Sequence, residues 1–389
     1  MFKVQTLNQI SPLGLARFDA KRFQVGADVD DPDAIMLRSF KMHDMALPAR
    51  LKAVGRAGAG VNNIPVAALS RRGVPVFNAP GANANAVKEL VVAGLLMAAR
   101  NLRGAWEFAA TLKGSDAEIS RAVAAGKKDY AGFELPGRVL GVVGLGAIGR
   151  LVAHAGLLLG MKVIGFDPEL TVEGAWQLSA EVQKAGSVNA LLREADFVSF
   201  HVPLVDATRN MVNADTVGLL KPTATVLNFA REGVVDDDAV VAALDAGRLH
   251  AYLCDFPTNR VKNHPKVVAL PHLGASTREA EDNCAIMVAE ELCDFLENGN
   301  IRNAVNFPEV IVTREGTCRL VVANANVPNM VGQISTAVAR AGLNIHNLVN
   351  KSRGDLAYTL VDLDSALPDA VYGEIAAIPG VMSARKISA

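Results

Sequence analysis

Three polar residues each follow a run of apolar residues near the middle of the chain: Arg231, Asp255 and His272. Such runs are typical of buried parallel strands, whose carboxyl ends meet at the sheet edge where ligands bind. A guanidinium can hold a carboxylate through two hydrogen bonds, and an imidazole can take a hydroxyl proton while hydride leaves the same carbon. Each residue alone fits an ordinary loop position. Their shared placement favours acid–base chemistry on a small hydroxy acid, with a cofactor taking the hydride.

A glycine pattern, G-x-G-x-x-G, indicates where that cofactor binds. The apolar residues 139–143 predict a buried strand, Gly144, Gly146 and Gly149 follow, and residues 147–159 have helical spacing. Gly144 permits a tight turn, Gly146 lets a pyrophosphate approach the backbone, and Gly149 lets the helix pack closely on the strand. The helix N-terminus offers free N–H groups to the phosphates. The alternative is a plain glycine-rich turn, but strand and helix on either side favour dinucleotide binding.

An acidic residue after the next strand indicates which dinucleotide is bound. The strand predicted at residues 161–166 ends in Asp167, whose carboxylate can accept both ribose hydroxyls and would repel a 2′-phosphate. We therefore predict NAD rather than NADP. His201 ends another predicted strand, and we expect it to line the nucleotide pocket together with Val202 and Pro203.

These residues need a parallel sheet to position them, and the chain alternates strand and helix on both sides of the glycine motif. A dinucleotide-binding fold opens with its glycine motif, so the α/β region before it is predicted to be a separate domain. Two turns in that region, residues 56–63 and 78–83, follow strands and could bind a ligand or be ordinary loops. From Cys318 onward, the pattern is βαββαβ, which predicts a ferredoxin-like sandwich.

The composition indicates a cytosolic protein of two or three domains. Of 389 residues, 50% are hydrophobic and 20% charged, and the net charge of −1 gives no overall field to attract nucleic acid or a membrane. The four cysteines show no C-x-x-C spacing, so we expect reduced thiols and no metal site. The N-terminus lacks the apolar core of a signal peptide, and the apolar runs are too short to span a bilayer.

Several of these segments resemble one family. Residues 143–149, 228–236 and 271–276 resemble the three signatures of the D-2-hydroxyacid dehydrogenases. Residues 55–63 and 301–306 resemble the D-3-phosphoglycerate dehydrogenases within that family, and the tail resembles an ACT domain, a regulatory module. The resemblance covers essentially the whole chain. It implies oxidation of 3-phospho-D-glycerate to 3-phosphohydroxypyruvate with NAD, the entry to L-serine biosynthesis.

The resemblance also implies domains and roles. Residues 1–95 and 285–312 would form the substrate-binding domain, residues 96–284 the NAD-binding domain and residues 313–389 the ACT domain. Arg231 would orient the substrate carboxylate and His272 would be the acid/base. The residues expected to contact the substrate from the other domain are Arg38, Arg56, Gly58 and Asn83. Those expected to bind the cofactor are Gly144, Gly146, Ala147, Ile148, Gly149, Asp167, His201, Val202, Pro203, Thr208, Ala230, Arg231, Asp255, His272 and Gly274.

For the ACT domain, we expect an L-serine effector bound by Asn324, Asn326 and Asn344, and a homodimer or homotetramer. Two residues depart from the family. Asn259 stands where a glutamate pairs with the catalytic histidine, so we predict an active but slow enzyme, and Asn329 replaces a usual glycine of the effector loop. The alternatives are a dehydrogenase of another D-2-hydroxy acid and a non-catalytic NAD-sensing protein.

Overall fold

The computed structural model describes residues 1–388, which form two compact units. One unit combines Met1–Asn83 with the chain from Arg278 onward, and the other is Ala84–Thr277. Within the described residues, no helix has both the length and the apolar character that a bilayer span requires.

The first unit begins with a five-stranded parallel sheet of order β2-β1-β3-β4-β5. The central strand β3 is completely buried, as expected for a parallel sheet covered on both faces. The carboxyl ends of β3, β4 and β5 therefore lie next to one another. The elements are β1 Phe2–Leu7, α1 Pro12–Leu15, β2 Phe23–Gly26, β3 Ala34–Leu37, β4 Ala53–Arg56, α2 Val66–Arg71 and β5 Val76–Asn78.

The second unit is a seven-stranded parallel sheet of order β12-β11-β10-β9-β6-β7-β8. The strand order reverses between β6 and β9, which is where doubly wound sheets bind their ligands. Its helices and strands are α3 Ala84–Ala99, α4 Leu102–Thr111, α5 Asp116–Gly126, β6 Val139–Val143, α6 Ala147–Leu158, β7 Lys162–Phe166, α7 Val172–Trp176, β8 Gln183–Lys184, α8 Val188–Glu194, β9 Phe197–Phe200, β10 Thr225–Asn228, α9 Asp237–Asp245, β11 Ala251–Cys254 and β12 Val267–Ala269.

The C-terminal part of the first unit is a four-stranded antiparallel sheet of order β14-β15-β13-β16. It confirms the predicted βαββαβ pattern and ferredoxin-like order. The elements are α10 Arg278–Asn298, β13 Cys318–Ala325, α11 Met330–Arg340, β14 Ile345–Arg353, β15 Leu356–Leu363, α12 Asp369–Ala376 and β16 Val381–Ser388.

The two faces of this antiparallel sheet belong to different cores, because alternate residues of a strand point to opposite faces. Leu320 and Val322 of β13 join the core beneath α11 and α12. Val321 and Ala323 join the core that contains Phe77 of β5 and residues of α10. The C-terminal sheet thus packs directly on the rest of the first unit.

A fully buried ion pair stabilises the contact between the C-terminal sheet and the rest of the first unit. The Arg319 guanidinium donates from Nε and Nη2 to the two oxygens of Asp362, at 2.6 and 2.7 Å. Its remaining donors reach the carbonyls of Asn298, Val312 and Thr313 at 2.9–3.0 Å. Because the guanidinium donates to five oxygens and each carboxylate oxygen accepts from it, the desolvation cost of burying the two charges is offset, and removing one partner would be strongly destabilising.

The predicted fold class, two parallel α/β sheets and a ferredoxin-like sheet, is confirmed. Helix α3 ends at Ala99, because Asn101 has a positive φ of 50° that a continuing helix does not allow. The predicted boundaries at residues 95/96 and 284/285 fall inside α3 and α10, whereas the compact units divide where these helices begin. The roles assigned to the domains stay predictions.

Candidate active site

The three glycines after β6 have the geometries that their predicted roles require. Gly144 has a φ of 88°, and a Cβ there would lie 2.5 Å from the carbonyl oxygen of His201. A Cβ on Gly149 would overlap the carbonyl oxygen of Gly144. A Cβ on Gly146 would meet no atom within 4 Å, so this glycine faces open space. Two glycines are thus required by the fold, and the middle one leaves backbone accessible to a ligand.

Helix α6 begins directly after this turn with Ala147 and Ile148. Its N-cap residue, Gly146, has no side chain that could satisfy the first N–H groups of the helix. These N–H groups and the positive end of the helix dipole therefore favour an anion.

Asp167, at the end of β7, is hydrogen-bonded to the glycine turn. Its Oδ2 accepts from the Leu145 N–H at 2.7 Å, and its Oδ1 accepts from the Glu169 N–H at 2.9 Å. The carboxylate is only half-buried. Because each oxygen has two acceptor sites, capacity remains for two hydroxyl groups such as those of a ribose.

The residues after β9 lie against the glycine turn. The His201 ring is hydrogen-bonded through Nε2 to the Ser199 hydroxyl at 2.8 Å, and burial lowers its pKa to about 3, so it is neutral at physiological pH. Val202 packs against Gly144. The Thr208 hydroxyl donates to the Pro203 carbonyl and accepts from the Val205 N–H, which closes this segment into a turn.

The turn after β10 is held by a buried asparagine that the sequence did not single out. Asn228 donates from Nδ2 to the Arg231 carbonyl at 3.0 Å, and its Oδ1 accepts from the Ala230 N–H at 3.2 Å. The Arg231 side chain is exposed, with Nη1 donating to the Ala230 carbonyl at 2.6 Å. Asn228 thereby fixes the backbone that presents the Arg231 guanidinium. The available signal was a polar residue ending an otherwise apolar strand.

Asp255, after β11, holds the loop that carries His272. Its Oδ2 accepts from the Gly274 N–H at 3.0 Å, and its carbonyl accepts from the His272 N–H at 3.0 Å. Burial raises the pKa of Asp255, and the Gly274 hydrogen bond and the charges of His272 and Arg231 oppose that rise. Its Oδ1 is buried and has no hydrogen-bond partner among residues 1–388.

His272 is exposed and has a positive φ of 53°, which only the surrounding loop can maintain in a residue of this type. Its ring packs edge-on against Phe256, with centroids 5.1 Å apart. Because β10, β11 and β12 are neighbours, Arg231, Asp255 and His272 lie along one edge of the sheet, as the sequence predicts.

In the first unit, the predicted substrate residues also lie at the carboxyl ends of neighbouring strands. Arg38 follows β3 and Arg56 ends β4, and the Arg56 Nε donates to the Arg38 carbonyl at 3.1 Å. A Cβ on Gly58 would collide with the Arg56 guanidinium. Arg38 is ion-paired with Glu281 of α10 at 2.6 Å, a contact that sequence could not reveal because the residues are far apart in the chain.

The two turns of this unit lie side by side. The Ala79 N–H donates to the Gly58 carbonyl at 3.0 Å, and the Asn78 side chain donates to the Ala59 carbonyl. Asn83 ends the second turn and is half-buried. The turns at residues 56–63 and 78–83 thus form one surface at the sheet edge.

The three asparagines predicted to hold an effector already donate within the C-terminal sheet. Asn324 donates to the Ala325 carbonyl at 2.8 Å, Asn326 to the Gly354 carbonyl at 3.0 Å and Asn344 to Asp364 at 2.7 Å. Asn329 has a φ of 65°, the left-handed conformation that a glycine would adopt. Since asparagine is among the few residues that tolerate it, this substitution keeps the backbone of the loop.

Asn259 lies in the loop after β11 and its side chain is exposed. Within residues 1–388 that side chain has no hydrogen-bond partner, so it is not paired with His272. The neighbouring Thr258 donates to Asp237 at 2.7 Å. Across the same described residues, no group of three or more His, Cys, Asp or Glu side chains is arranged to hold a metal ion.

Residues 93–274 match the family model of the D-isomer specific 2-hydroxyacid dehydrogenase, NAD binding domain. The chain belongs to this family of dehydrogenases, and it carries the family's NAD-binding domain. The D-3-phosphoglycerate dehydrogenase of Escherichia coli (strain K12) is 33% identical, over 86% of this chain and 81% of its own length. That of Synechocystis sp. is 34% identical over 92% of this chain, which spans 64% of the length of that relative.

Solved structures support the fold. The apo form of Rhodotorula graminis D-mandelate dehydrogenase matches with a TM-score of 0.67 at 24% identity, covering 80% of this chain and 99% of that chain.

Proposed function

We propose that this chain is an NAD-dependent dehydrogenase that oxidises 3-phospho-D-glycerate to 3-phosphohydroxypyruvate, the first step of L-serine biosynthesis. The observation that carries the proposal is the alignment of Arg231, Asp255 and His272 at the ends of three adjoining strands, in the sheet that holds the glycine turn. The relatives named D-3-phosphoglycerate dehydrogenase support this choice of substrate.

The residues of the nucleotide sheet fit NAD. The open face of Gly146 and the uncapped start of α6 suit the pyrophosphate, and Asp167 has acceptor capacity for the ribose hydroxyls. The unpartnered Oδ1 of Asp255 is a buried acceptor, which suits an amide N–H of the nicotinamide. When bound, NAD supplies the acceptor for the hydride.

The chain's own residues then bind the acid and move its proton. Arg231 holds the carboxylate through its planar fork and polarises the adjoining carbon–oxygen bond as it becomes a carbonyl. His272 takes the proton of the hydroxyl group at a ring nitrogen. Asp255 holds the His272 loop through its carboxylate and carbonyl, which keeps the imidazole in position.

The charge at the edge of the first sheet suits a phosphorylated acid. Arg38 and Arg56 lie together there, and we infer that they contact the substrate with Gly58 and Asn83. Both guanidinium groups can match the oxygens of a phosphate through their planar N–H forks.

The test is NADH formation, followed by absorbance, across D-2-hydroxy acids with and without a phosphate group. We expect the highest kcat/KM with 3-phospho-D-glycerate, a much lower value with NADP, and near-complete loss in His272→Gln. A higher kcat/KM with an unphosphorylated acid would contradict the choice of 3-phospho-D-glycerate as the substrate. It would favour a dehydrogenase of another D-2-hydroxy acid. NAD binding without turnover of any acid would favour the NAD-sensing alternative.

We further infer that the C-terminal sheet is an ACT domain that binds L-serine weakly and that the protein is a homodimer or homotetramer. The ferredoxin-like strand order supports the domain type. The asparagines would have to exchange their present hydrogen bonds for contacts with the ligand, which accounts for the low affinity that we expect. Sedimentation equilibrium with and without L-serine tests both the oligomer and the effector.

A further inference from the structure

A cavity of about 490 Å³ lies within the first unit, away from the strand ends described above. One wall is made by residues 49–52 and 71–74 of the parallel α/β region. The other wall is made by residues 382–385 of β16 and by the adjoining face of β13 and β15. The cavity therefore lies where the two sheets of the first unit meet.

The charged lining residues of this cavity are all basic. None of the lining residues is acidic, within the part of the chain that the structure describes. The five cations are Arg50, Lys52, Arg71, Arg72 and Arg385.

Two of these cations are neutralised from outside the cavity. The buried Asp33 carboxylate is 3.2 Å from the Arg50 guanidinium and 2.9 Å from the Lys52 ammonium group. Burial tends to raise the pKa of Asp33, but its backbone hydrogen bond and these two cations lower it overall, so Asp33 stays ionised. Asp31 is also ion-paired with the Arg50 guanidinium, at 3.9 Å. The charges of Asp31 and Asp33 still leave the set of five cations with a positive excess.

Among residues 1–388, no carboxylate is ion-paired with the other three cations, Arg71, Arg72 and Arg385. Arg385 is half-buried, stacks on the Phe295 ring at 4.2 Å, and donates to the carbonyls of Phe295 and Leu296. Its guanidinium also has a side-chain hydrogen bond with Tyr358. Burial lowers the pKa of the Arg385 guanidinium, although it remains charged. Arg72 donates only to carbonyls, those of residues 47–49. Enclosed cations without a counter-ion are costly, and this cost is recovered when an anion binds.

We propose that this cavity binds a small multivalent oxyanion of the phosphate class. Guanidinium groups prefer such ligands because their planar N–H forks match phosphate oxygens. The bound anion would pair with Arg72 and Arg385 and take a further contact from Arg71. Since these residues come from both walls, the anion would hold the C-terminal sheet against the parallel sheet. This assignment does not depend on the dehydrogenase function proposed above.

The test uses the full chain, with inorganic pyrophosphate as the probe and sodium chloride to match the ionic strength. We expect pyrophosphate to raise the Tm more than the chloride control does, because it binds only the folded protein. The variant Arg71→Glu reverses an exposed charge at the cavity mouth, and we expect it to weaken pyrophosphate binding at least about tenfold by calorimetry. Lys351→Glu is the matched control, since it reverses an exposed charge on β14 outside the cavity.

A second variant addresses the enclosed cation. Arg385→Met keeps the apolar stem over Phe295 and removes the charge, so we expect it to abolish the Tm increase while circular dichroism stays unchanged. If this variant fails to fold, the pyrophosphate binding of Arg71→Glu alone tests the proposal. The proposal is overturned if pyrophosphate gives no more stabilisation than chloride. It is also overturned if Arg71→Glu and Lys351→Glu bind pyrophosphate like the parent, because the anion would then lie at the glycine turn or at Arg231.

Discussion

The carboxyl edge of the nucleotide sheet and the turns of the C-terminal sheet both collect polar side chains, yet they differ in how those side chains are bonded. At the first, Gly146 faces open space, Asp255 has an unpartnered oxygen, and Arg231 and His272 are exposed. At the second, Asn324, Asn326 and Asn344 already donate to the protein itself. What distinguishes a prepared site is therefore unused hydrogen-bonding capacity rather than a high density of polar residues.

The strongest test of this difference compares two glycines of the same turn. In Gly149→Ala, the new Cβ would overlap the backbone oxygen of Gly144, so we expect a loss of about 3 kcal/mol in unfolding free energy and at least about a hundredfold weaker NAD binding. Gly146→Ala has room for its Cβ and should keep the stability of the parent while weakening NAD binding. Urea unfolding and calorimetric titration measure the two effects. Equal stability losses in both variants would contradict the assigned roles.

The next test changes a side chain that is exposed at the strand edge. Arg231→Lys keeps the charge but loses the planar fork, and a charge-assisted hydrogen bond contributes about 1.5–3 kcal/mol. We therefore expect kcat/KM to fall by about tenfold to a hundredfold. The matched comparison is Arg248→Lys, which makes the same substitution at an exposed position after α9. Near-normal turnover of Arg231→Lys would remove this residue from the site.

A third test asks whether His272 gains from a carboxylate partner. Asn259 has no carboxylate, and its exposed side chain is not hydrogen-bonded to His272 within residues 1–388. We expect Asn259→Glu to raise turnover by roughly tenfold and to move the acidic limb of the pH–rate profile upward, since a carboxylate favours the imidazolium. Asn259→Gln serves as the neutral control. A gain in both variants, or in neither, would exclude a charge effect on His272.

A fourth test contrasts this exposed histidine with His201, whose ring Nδ1 is buried. Burial lowers the folded-state pKa of His201 to about 3, below its usual value, so the folded protein binds fewer protons than the unfolded chain between these values. The stability that follows is fully present above the unfolded pKa and is lost as pH falls toward the folded pKa. We expect His201→Asn to remove about 2 kcal/mol of the stability change between about pH 7 and pH 5. Urea unfolding of both proteins at each pH measures this. If the unfolding free energy changes equally with pH in both proteins, the prediction is contradicted.

The features that the sequence predicted best are those that depend on residues close together in the chain. The roles of Gly144 and Gly149 follow from backbone and packing constraints within a few residues, and both geometries are present. Strand ends were likewise predictable, because the apolar runs alternate with helices in a regular order. This is why the sequence alone places Arg231 and His272 at one edge of the sheet.

The sequence could not predict contacts between residues that are distant in the chain, or features that depend on a single backbone angle. The Arg38–Glu281 ion pair and the buried Arg319–Asp362 pair join segments whose proximity follows only from the complete fold. Asn228 acts through a turn whose shape the sequence did not reveal.

The smallest expected effect lies at the C-terminal sheet, where the polar groups are already bonded. If L-serine binds there, it must replace the Asn326–Gly354 and Asn344–Asp364 hydrogen bonds, so most of the gain is offset and the Kd should be in the millimolar range or weaker. We expect full-chain calorimetry to show weak heats with L-serine that fall only a few-fold in Asn344→Ala. Asn350→Ala, on β14 with its amide bonded to Thr359, is the control and should bind like the parent. Millimolar L-serine without heat, under conditions where NAD titrates normally, would show that these asparagines only stabilise their turns. Submicromolar binding would instead mean that internally bonded amides can still form a prepared site, and the contrast between the two regions would fail.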